Sequence, residues 1–251
     1  MKNYYQGSYS YRKDIGRVRV TNEDQCAILT NALGDTFLVV CDGMGGQNKG
    51  DYASKLALDS LCESFQSLRK LPSFMVKNWL GKAYKKANAV IYEDSRDPTY
   101  KDMGTTAVVA LIHGHALYVA NAGDSRAYSY DPKEKRFQRL TQDQTYVDFL
   151  YRAGKIKESD MQTREDRHVL INALGIYPSA SVDISTYRYF GESVLLCSDG
   201  LYNNLSEAEI RAVLSTSDRT DEKTASLIAE ANANGGSDNI AVALWEAFPH
   251  D

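Results

Sequence analysis

The chain has 251 residues, 43% hydrophobic and 25% charged, the balance of a globular protein long enough to bury a full core. A formal net charge of −4 excludes a broadly basic nucleic-acid binder, and no apolar run approaches the length of a membrane span. Cys26, Cys41, Cys62 and Cys197 are far apart and form no CxxC pair, so they read as free thiols; with no apolar signal core near the start, a soluble cytoplasmic protein is expected.

Tyr4 to Lys13 alternates aromatic and polar residues, as an outer antiparallel strand does. The segment Asp14 to Asp24 follows, with Arg17 and Arg19 read onto one strand face. Gln25 to Leu29 reads as a strand and Asn31 to Asp35 as a turn. Phe37-Leu38-Val39-Val40-Cys41 is an unbroken apolar run, the pattern of a strand buried on both faces. It stops at Asp42-Gly43-Met44-Gly45-Gly46. Lys49 to Leu68 and Ser73 to Glu93 have helical apolar spacing, the second opened by Pro72.

After a polar loop, Thr105 to His113 and Ala116 to Ala120 read as a strand pair, and Arg126 to Tyr130 with Arg136 to Leu140 as another turned by Asp131-Pro132. Thr141 to Arg167 is strongly charged and partly helical, the composition of a solvated insertion. Val194 to Cys197 returns to the sheet. Ser206 opens a helix with Glu209 at capping-box spacing, Ala225 to Ala233 is a further helix, and Ile240 to Ala247 is the last strand. The fold class expected is α+β in one domain over residues 1–251: mainly antiparallel sheets with helices on their outer faces.

Carboxylates recur where apolar strands end. Asp42-Gly43, Asp199-Gly200 after Val194 to Cys197, and Asp124 after Ala120 all follow this pattern, while Asp238 and the pair Glu23-Asp24 immediately precede strands. One Asp-Gly is most simply a turn. Several carboxylates at strand ends, with little histidine or cysteine nearby, suit hard divalent ions bound through oxygen.

The ordered set Asp14-x-Gly16-x-Val18-Arg19-x-x-Asn22-Glu23-Asp24, Asp42-Gly43-Met44-Gly45-Gly46, Gly104-Thr105-Thr106, Gly123-Asp124-Ser125-Arg126, Ser198-Asp199-Gly200 and Ser237-Asp238-Asn239 resembles the metal-dependent serine/threonine protein phosphatases of the PPM, or type 2C, family, in its compact bacterial form. The likeness spans about Asp14 to Val242. It implies a four-layer α/β/β/α sandwich with two Mn²⁺ or Mg²⁺ ions at one end and a weaker third. By matching position, Asp42 would bridge the ions, Asp199 and Asp238 would complete the first, and Glu23 with the Gly43 carbonyl would hold the second. Asp24 would orient water, Asp124 with Asp199 would hold the third ion, and Arg19 would bind the substrate phosphate. The substrates implied are phosphoproteins, with a Ser/Thr kinase as the opposing partner and a monomer as the working form.

Phosphate-ester hydrolysis agrees with such a set, since two divalent ions activate water and clamp an in-line displacement, and an arginine adds bidentate phosphate binding. Each residue also has a plainer reading. Glu23 and Asp24 are ordinary turn acids, Asp124-Ser125-Arg126 is a turn held by an ion pair, and Arg17 competes with Arg19. His113 and His115 flank a hairpin and read as solvated. Met44 stands where some relatives carry a histidine, so leaving-group protonation falls to water or another group.

Bacterial relatives often carry His-Pro-x-Arg-Asn-Val-Leu-Thr-Arg-Ala-Leu-Gly after the insertion, whereas this chain has Arg164 to Gly175 as REDRHVLINALG. Asp148 to Arg167 would be the flap beside the site, weakly packed and expected to be mobile. Two rival functions are a hydrolase of small phosphate esters and an inactive binding module; the second is signalled by a missing ligand carboxylate, and none is missing.

Overall fold

The structure, a computed structural model, describes residues 5–45, 49–161 and 163–248. Tyr4, Gly46 and Gln162, each part of a sequence-based expectation, lie outside the described residues.

The architecture follows from strands that are apolar on both faces. In β3 (Thr36–Met44), Phe37, Val39 and Cys41 point to one side and Leu38 and Val40 to the other, all fully buried. Such a strand must be covered twice. Phe37, Val39 and Cys41 pack under α1 (Lys49–Gln66) and α2 (Val76–Asp94), against Leu61, Phe65 and Leu80. Leu38 and Val40 meet the inner face of a second sheet, against Val194 and Leu196 of β10 (Ser193–Cys197) and Ala243 of β11 (Ile240–Ala247).

Those strands alternate in the same way. Leu195 and Cys197 of β10, with Val242 and Leu244 of β11, turn outward to Ile210 of α6 (Glu207–Leu214) and Leu227 of α7 (Thr220–Ala233). Three apolar layers therefore separate helices, sheet, sheet and helices, the four-layer α/β/β/α sandwich expected from the sequence. Sheets covered on both faces explain why the central strands read as continuous apolar runs although their pairing is antiparallel.

One sheet has the order β1-β11-β10-β7-β8, with β1 (Gly7–Asp14), β7 (Arg126–Asp131) and β8 (Arg136–Arg139). The other has β2-β3-β5-β6-β9, with β2 (Asp24–Thr30), β5 (Ala107–His113), β6 (Ala116–Ala122) and β9 (Asp183–Arg188), and the short β4 (Gly104–Thr105) pairs with the end of β3. No described helix is long and apolar enough to cross a membrane.

Three expectations are corrected. Ile15 to Glu23 is loop and turn, not strand, so Arg17 and Arg19 share no strand face. Strand β9 went unread because, as an edge strand, it buries too little for an apolar pattern; Ile184 and Tyr187 are its partly buried residues. Helix α7 starts at Thr220, five positions before Ala225. Its first turn is polar, but the Glu222 carboxylate accepts from the Arg219 backbone N–H at 3.0 Å and fixes the start there.

Candidate active site

The C-terminal end of β3 and the start of β2 lie side by side, with Asp24 directly opposite Asp42 in the antiparallel register. This places two carboxylates on one sheet rim. Gly104-Thr105-Thr106 fixes the backbone beneath Asp42: Thr106 Oγ1 accepts from the Asp42 N–H at 3.0 Å, and Thr106 N–H and Thr105 Oγ1 donate to the Asp42 carbonyl at 2.8 and 2.9 Å. With the backbone donor and acceptor both satisfied, the side chain is left to face the neighbouring acids.

Gly43 is needed because a Cβ there would collide with the Gly50 carbonyl at the start of α1. The approach brings Glu23 in as well. Its backbone carbonyl accepts from Gly43 N–H at 3.2 Å and Ser54 Oγ at 2.5 Å, and its carboxylate lies against Gly50 at the N-terminus of the eighteen-residue helix. Asn239 ties the Ile15 to Glu23 loop down. It accepts from Glu23 N–H at 2.8 Å and donates to the Ile15 and Thr21 carbonyls, both at 2.9 Å.

Asp24 is held from the other sheet. Ser198 Oγ donates to its Oδ2 at 2.6 Å and accepts from Ala241 N–H at 2.8 Å. The Ser198-Asp199-Gly200 motif therefore staples the sheets together and starts the short α5 (Asp199–Tyr202).

Arg19, Glu23, Asp42, Gly43, Asp124, Asp199 and Asp238 all line one cavity of about 1130 Å³, and Asp24 lies buried beneath it. Burial first, then mutual repulsion, pushes the carboxyls of Asp42 and Asp124 well above the usual range. Burial likewise raises Asp24, opposed by its bond from Ser198, and Asp199, which shares a hydrogen bond with Asp42. Arg19 Nη2 sits 2.7 Å from Asp238 Oδ2, and this is the ion pair made by a ligand candidate among the described residues.

The donor set is entirely oxygen, its carboxyls are desolvated, and the half-exposed Arg19 pairs with one of them. These features fit hard divalent cations. Among the described residues, no three acidic, histidine or cysteine side chains converge tightly enough to grip an ion unaided. The carboxylates ring the cavity instead, with Asp238 drawn to Arg19 and Asp199 to Asp42, so closing on an ion requires side-chain rotations.

Asp124 has a support that sequence reasoning missed. Arg126 forms an ion pair, but with Asp143: Nη2 to Oδ2 is 2.6 Å, the side chains being only 17% and 7% exposed. The Arg126 guanidinium lies 3.5 Å over the Tyr202 ring, and Tyr202 OH donates to the Asp124 carbonyl at 3.1 Å. Asp143, in a charged segment that reads as surface, carries no signal of burial in the sequence.

Arg17 and Arg19 differ in position. Its backbone N–H donates to the Gly236 carbonyl at 2.7 Å, and Arg19 is the one lining the cavity. His113 and His115 lie away from the cavity, but neither is simply solvated. His113 Nδ1 is 2.9 Å from Asp35 Oδ1, and His115 Nδ1 is 2.9 Å from Tyr5 OH.

The far wall of the cavity is Arg167, His168, Leu170, Ala173, Ile176 and Tyr177. It therefore comes from the chain returning after the flap, and among the described residues of the segment 148–167 only Arg167 lines the cavity. His168 accepts from Arg167 Nε at 2.8 Å; burial and that neighbour push its pKa down. The flap holds α3 (Tyr146–Arg152) and α4 (Glu158–Met161), and the bridge between Thr145 and Leu170 closes its base.

The family profile described as Protein phosphatase 2C matches residues 13–148. The serine/threonine phosphatase stp of Listeria innocua is 35% identical over 240 residues, 94% of each chain. The solved S. agalactiae serine/threonine phosphatase superposes with a TM-score of 0.91 at 29% identity, over 97% of this chain and 100% of that one. The catalytic domain of the phosphatase PstP, solved with two manganese ions, gives 0.82 at 28% identity over 97% and 99%.

Proposed function

The chain belongs to the protein phosphatase 2C family and is a serine/threonine protein phosphatase, and we propose that it acts through two divalent ions seated among the strand-end carboxylates. The observation that carries this reading is the oxygen-only ring of desolvated carboxylates opening on one cavity beside Arg19. The two manganese ions in the solved PstP domain support it. Asp42 would be shared by both ions. Asp199 and Asp238 would help hold one, and Glu23 with the Gly43 carbonyl would help hold the other. Asp124 and Asp199 would hold a weaker third. Mn²⁺ and Mg²⁺ both suit such ligands.

When bound, two such ions activate water and neutralise the phosphate. The chain's own residues do the rest. Arg19, on a loop tied down by Asn239, exchanges its bond to Asp238 for the phosphate oxygens, a trade of one anionic partner for another that keeps the guanidinium paired. Asp24, held by Ser198, orients the attacking water and accepts its hydrogen bond. The leaving serine or threonine oxygen takes its proton from solvent, because Met44 has none to give. The Arg167 to Tyr177 wall gives a peptide flanking the phosphate a surface to lie on.

The physiological setting proposed is a cytoplasmic monomer, one domain over residues 1–251, reversing a Ser/Thr kinase. The test is turnover of a phosphothreonine peptide against a small metabolite phosphate ester, with and without Mn²⁺, and metal stoichiometry by calorimetry. Manganese-dependent preference for the peptide with two ions bound is expected. Equal turnover of the small ester supports the alternative hydrolase, and turnover that survives chelation overturns the two-ion reading.

A further inference from the structure

We propose that the outer face of α2 and the connection preceding it form a docking surface for an anionic lipid bilayer. The charge of this protein is unevenly spread. From Ser67 to Tyr92 the sequence carries Arg69, Lys70, Lys77, Lys82, Lys85 and Lys86 and no acidic residue. Since the whole chain carries −4 and this stretch +6, the other residues together carry −10. Such asymmetry marks a face that meets an anionic surface.

The six cations are all exposed. At about 100° per residue, Lys77, Lys85, Lys82 and Lys86 fall within roughly half the circumference of α2. That half is the solvent side, because Val76, Leu80, Ala83, Ala87 and Ile91 are buried against the sheet. Among the described residues, Lys86 is the member of the set with an ion pair, to Glu63 at 2.6 Å. The neighbouring acids Asp59 and Glu93 are taken up by Lys55 and Arg96, at 2.8 and 3.1 Å. The field above this face is thus positive.

Two apolar side chains project from the same edge. Phe74 is 86% exposed and Met75 42%, on the turn Ser73–Met75 that follows Arg69 and Lys70. Leu71 and Val76 beside them are buried, so the turn is anchored and the projecting pair is not slack chain. Lysines around a protruding aromatic suit lipid: point charges meet headgroups while Phe74 enters the acyl boundary. Base-specific nucleic-acid contacts favour the fork of arginine, and five of these six cations are lysine.

The protein's overall negative charge does not forbid docking. The Debye length is about 8 Å at physiological salt, so only the facing surface counts. Position also matters. Helix α1 begins at the catalytic cavity and runs eighteen residues, about 27 Å, to its far end, where the Arg69 to Met75 connection lies. The Phe74 and Met75 end of the surface is thus the end remote from the cavity.

The test is flotation of the full chain with vesicles of phosphatidylcholine alone or with 30% phosphatidylglycerol, at low and high salt. Binding to the anionic vesicles only, weakened at least tenfold by about 0.5 M salt, is expected. The variant Arg69→Gln/Lys70→Gln/Lys82→Gln/Lys85→Gln should lose about fivefold per cation removed. Phe74→Ser should lose severalfold and keep its salt dependence. Turnover of a small aryl phosphate, unchanged in both variants, shows that they fold. Failure to float, or equal flotation of wild type and the four-site variant, overturns the proposal. Tighter binding of the same face to poly(U) RNA than to the anionic vesicles also overturns it, and makes nucleic acid the occupant.

Discussion

Asp143→Ala tests the least expected support of the candidate site. In the wild type, Arg126 Nε lies 3.1 Å from both Asp143 oxygens and Nη2 lies 2.6 Å from Oδ2, a two-pronged pair with both partners mostly buried. Removing one partner of such a pair leaves an uncompensated buried charge and costs about 3–5 kcal/mol. For a chain of this size, about 2–4 °C of melting midpoint is lost per kcal/mol, so a fall of roughly 6–20 °C is expected. Replacing both partners by apolar residues of similar volume, Arg126→Met with Asp143→Leu, removes the stranded charge, and Arg139, whose Nη1 lies 3.5 Å from Asp143 Oδ2 in the wild type, is exposed enough to turn to solvent, so the double change should cost less than the single one.

The same substitution reaches the chemistry. Freed from Asp143, Arg126 is no longer fixed over the Tyr202 ring, and Tyr202 is the residue whose OH holds the Asp124 carbonyl. The Mn²⁺ concentration for half-maximal activity should therefore rise in Asp143→Ala. Urea unfolding of the single and double variants, with Mn²⁺ titrations of phosphopeptide turnover, reads both effects. A loss under about 1 kcal/mol in the single variant, or a double variant no more stable than the single, would refute the reasoning from a stranded buried cation.

Four further outcomes are expected. Asp42→Asn should abolish turnover with the circular dichroism spectrum unchanged, and Asp199→Asn and Asp238→Asn should be partly rescued by raised Mn²⁺; normal turnover of Asp42→Asn at saturating Mn²⁺ removes the shared-ligand assignment. Arg19→Ala should raise KM for a phosphopeptide by about tenfold or more while Arg17→Ala stays within about twofold, and the reverse order in steady-state kinetics rejects Arg19 as the phosphate ligand. Replacing residues 148–167 by a short Gly-Ser linker should spare aryl phosphate hydrolysis and reorder a panel of phosphopeptides; equal effects on both substrate classes deny the flap a role in selectivity. In chelator-treated protein, burial holds Asp199 up to about 6 and Asp24 up to about 8, so the folded chain keeps protons that the unfolded chain has released above about pH 4. That stabilisation is fully present below pH 4 and is lost as pH rises through 6 to 8. The melting midpoint should fall from pH 5 to pH 8 and Mn²⁺ should flatten the slope, whereas a rise with pH contradicts the sign.

Much of the fold was legible because its strands are buried twice. Phe37 to Cys41, Val194 to Cys197 and Ile240 to Ala247 need cover on both faces, and a chain with four good helices has one economical way to supply it. Edge strand β9 was not legible, because a strand that buries one or two side chains leaves no apolar run to read. The start of α7 was hidden for a similar reason: its first turn is polar and is fixed by a side chain reaching back to the backbone.

The sequence by itself determined where the candidate carboxylates stand relative to the strands. Asp24, Asp42, Asp124, Asp199 and Asp238 stand where strands begin or end, and the strand order then brings those ends to one rim. It also shows a run of six cations without an acid from Ser67 to Tyr92, four of them on α2. What it left open is every contact made across long separations. That Ser198 holds Asp24, that Asn239 holds the Arg19 loop, that Arg126 chooses Asp143 over Asp124, and that the chain after the flap walls the cavity were all decided by packing the two sheets together. Local pattern specifies which side chains need burial or a partner; the partner is chosen only when sheets and loops close, because the competing acids and donors are equivalent along the chain and differ only in where the fold puts them.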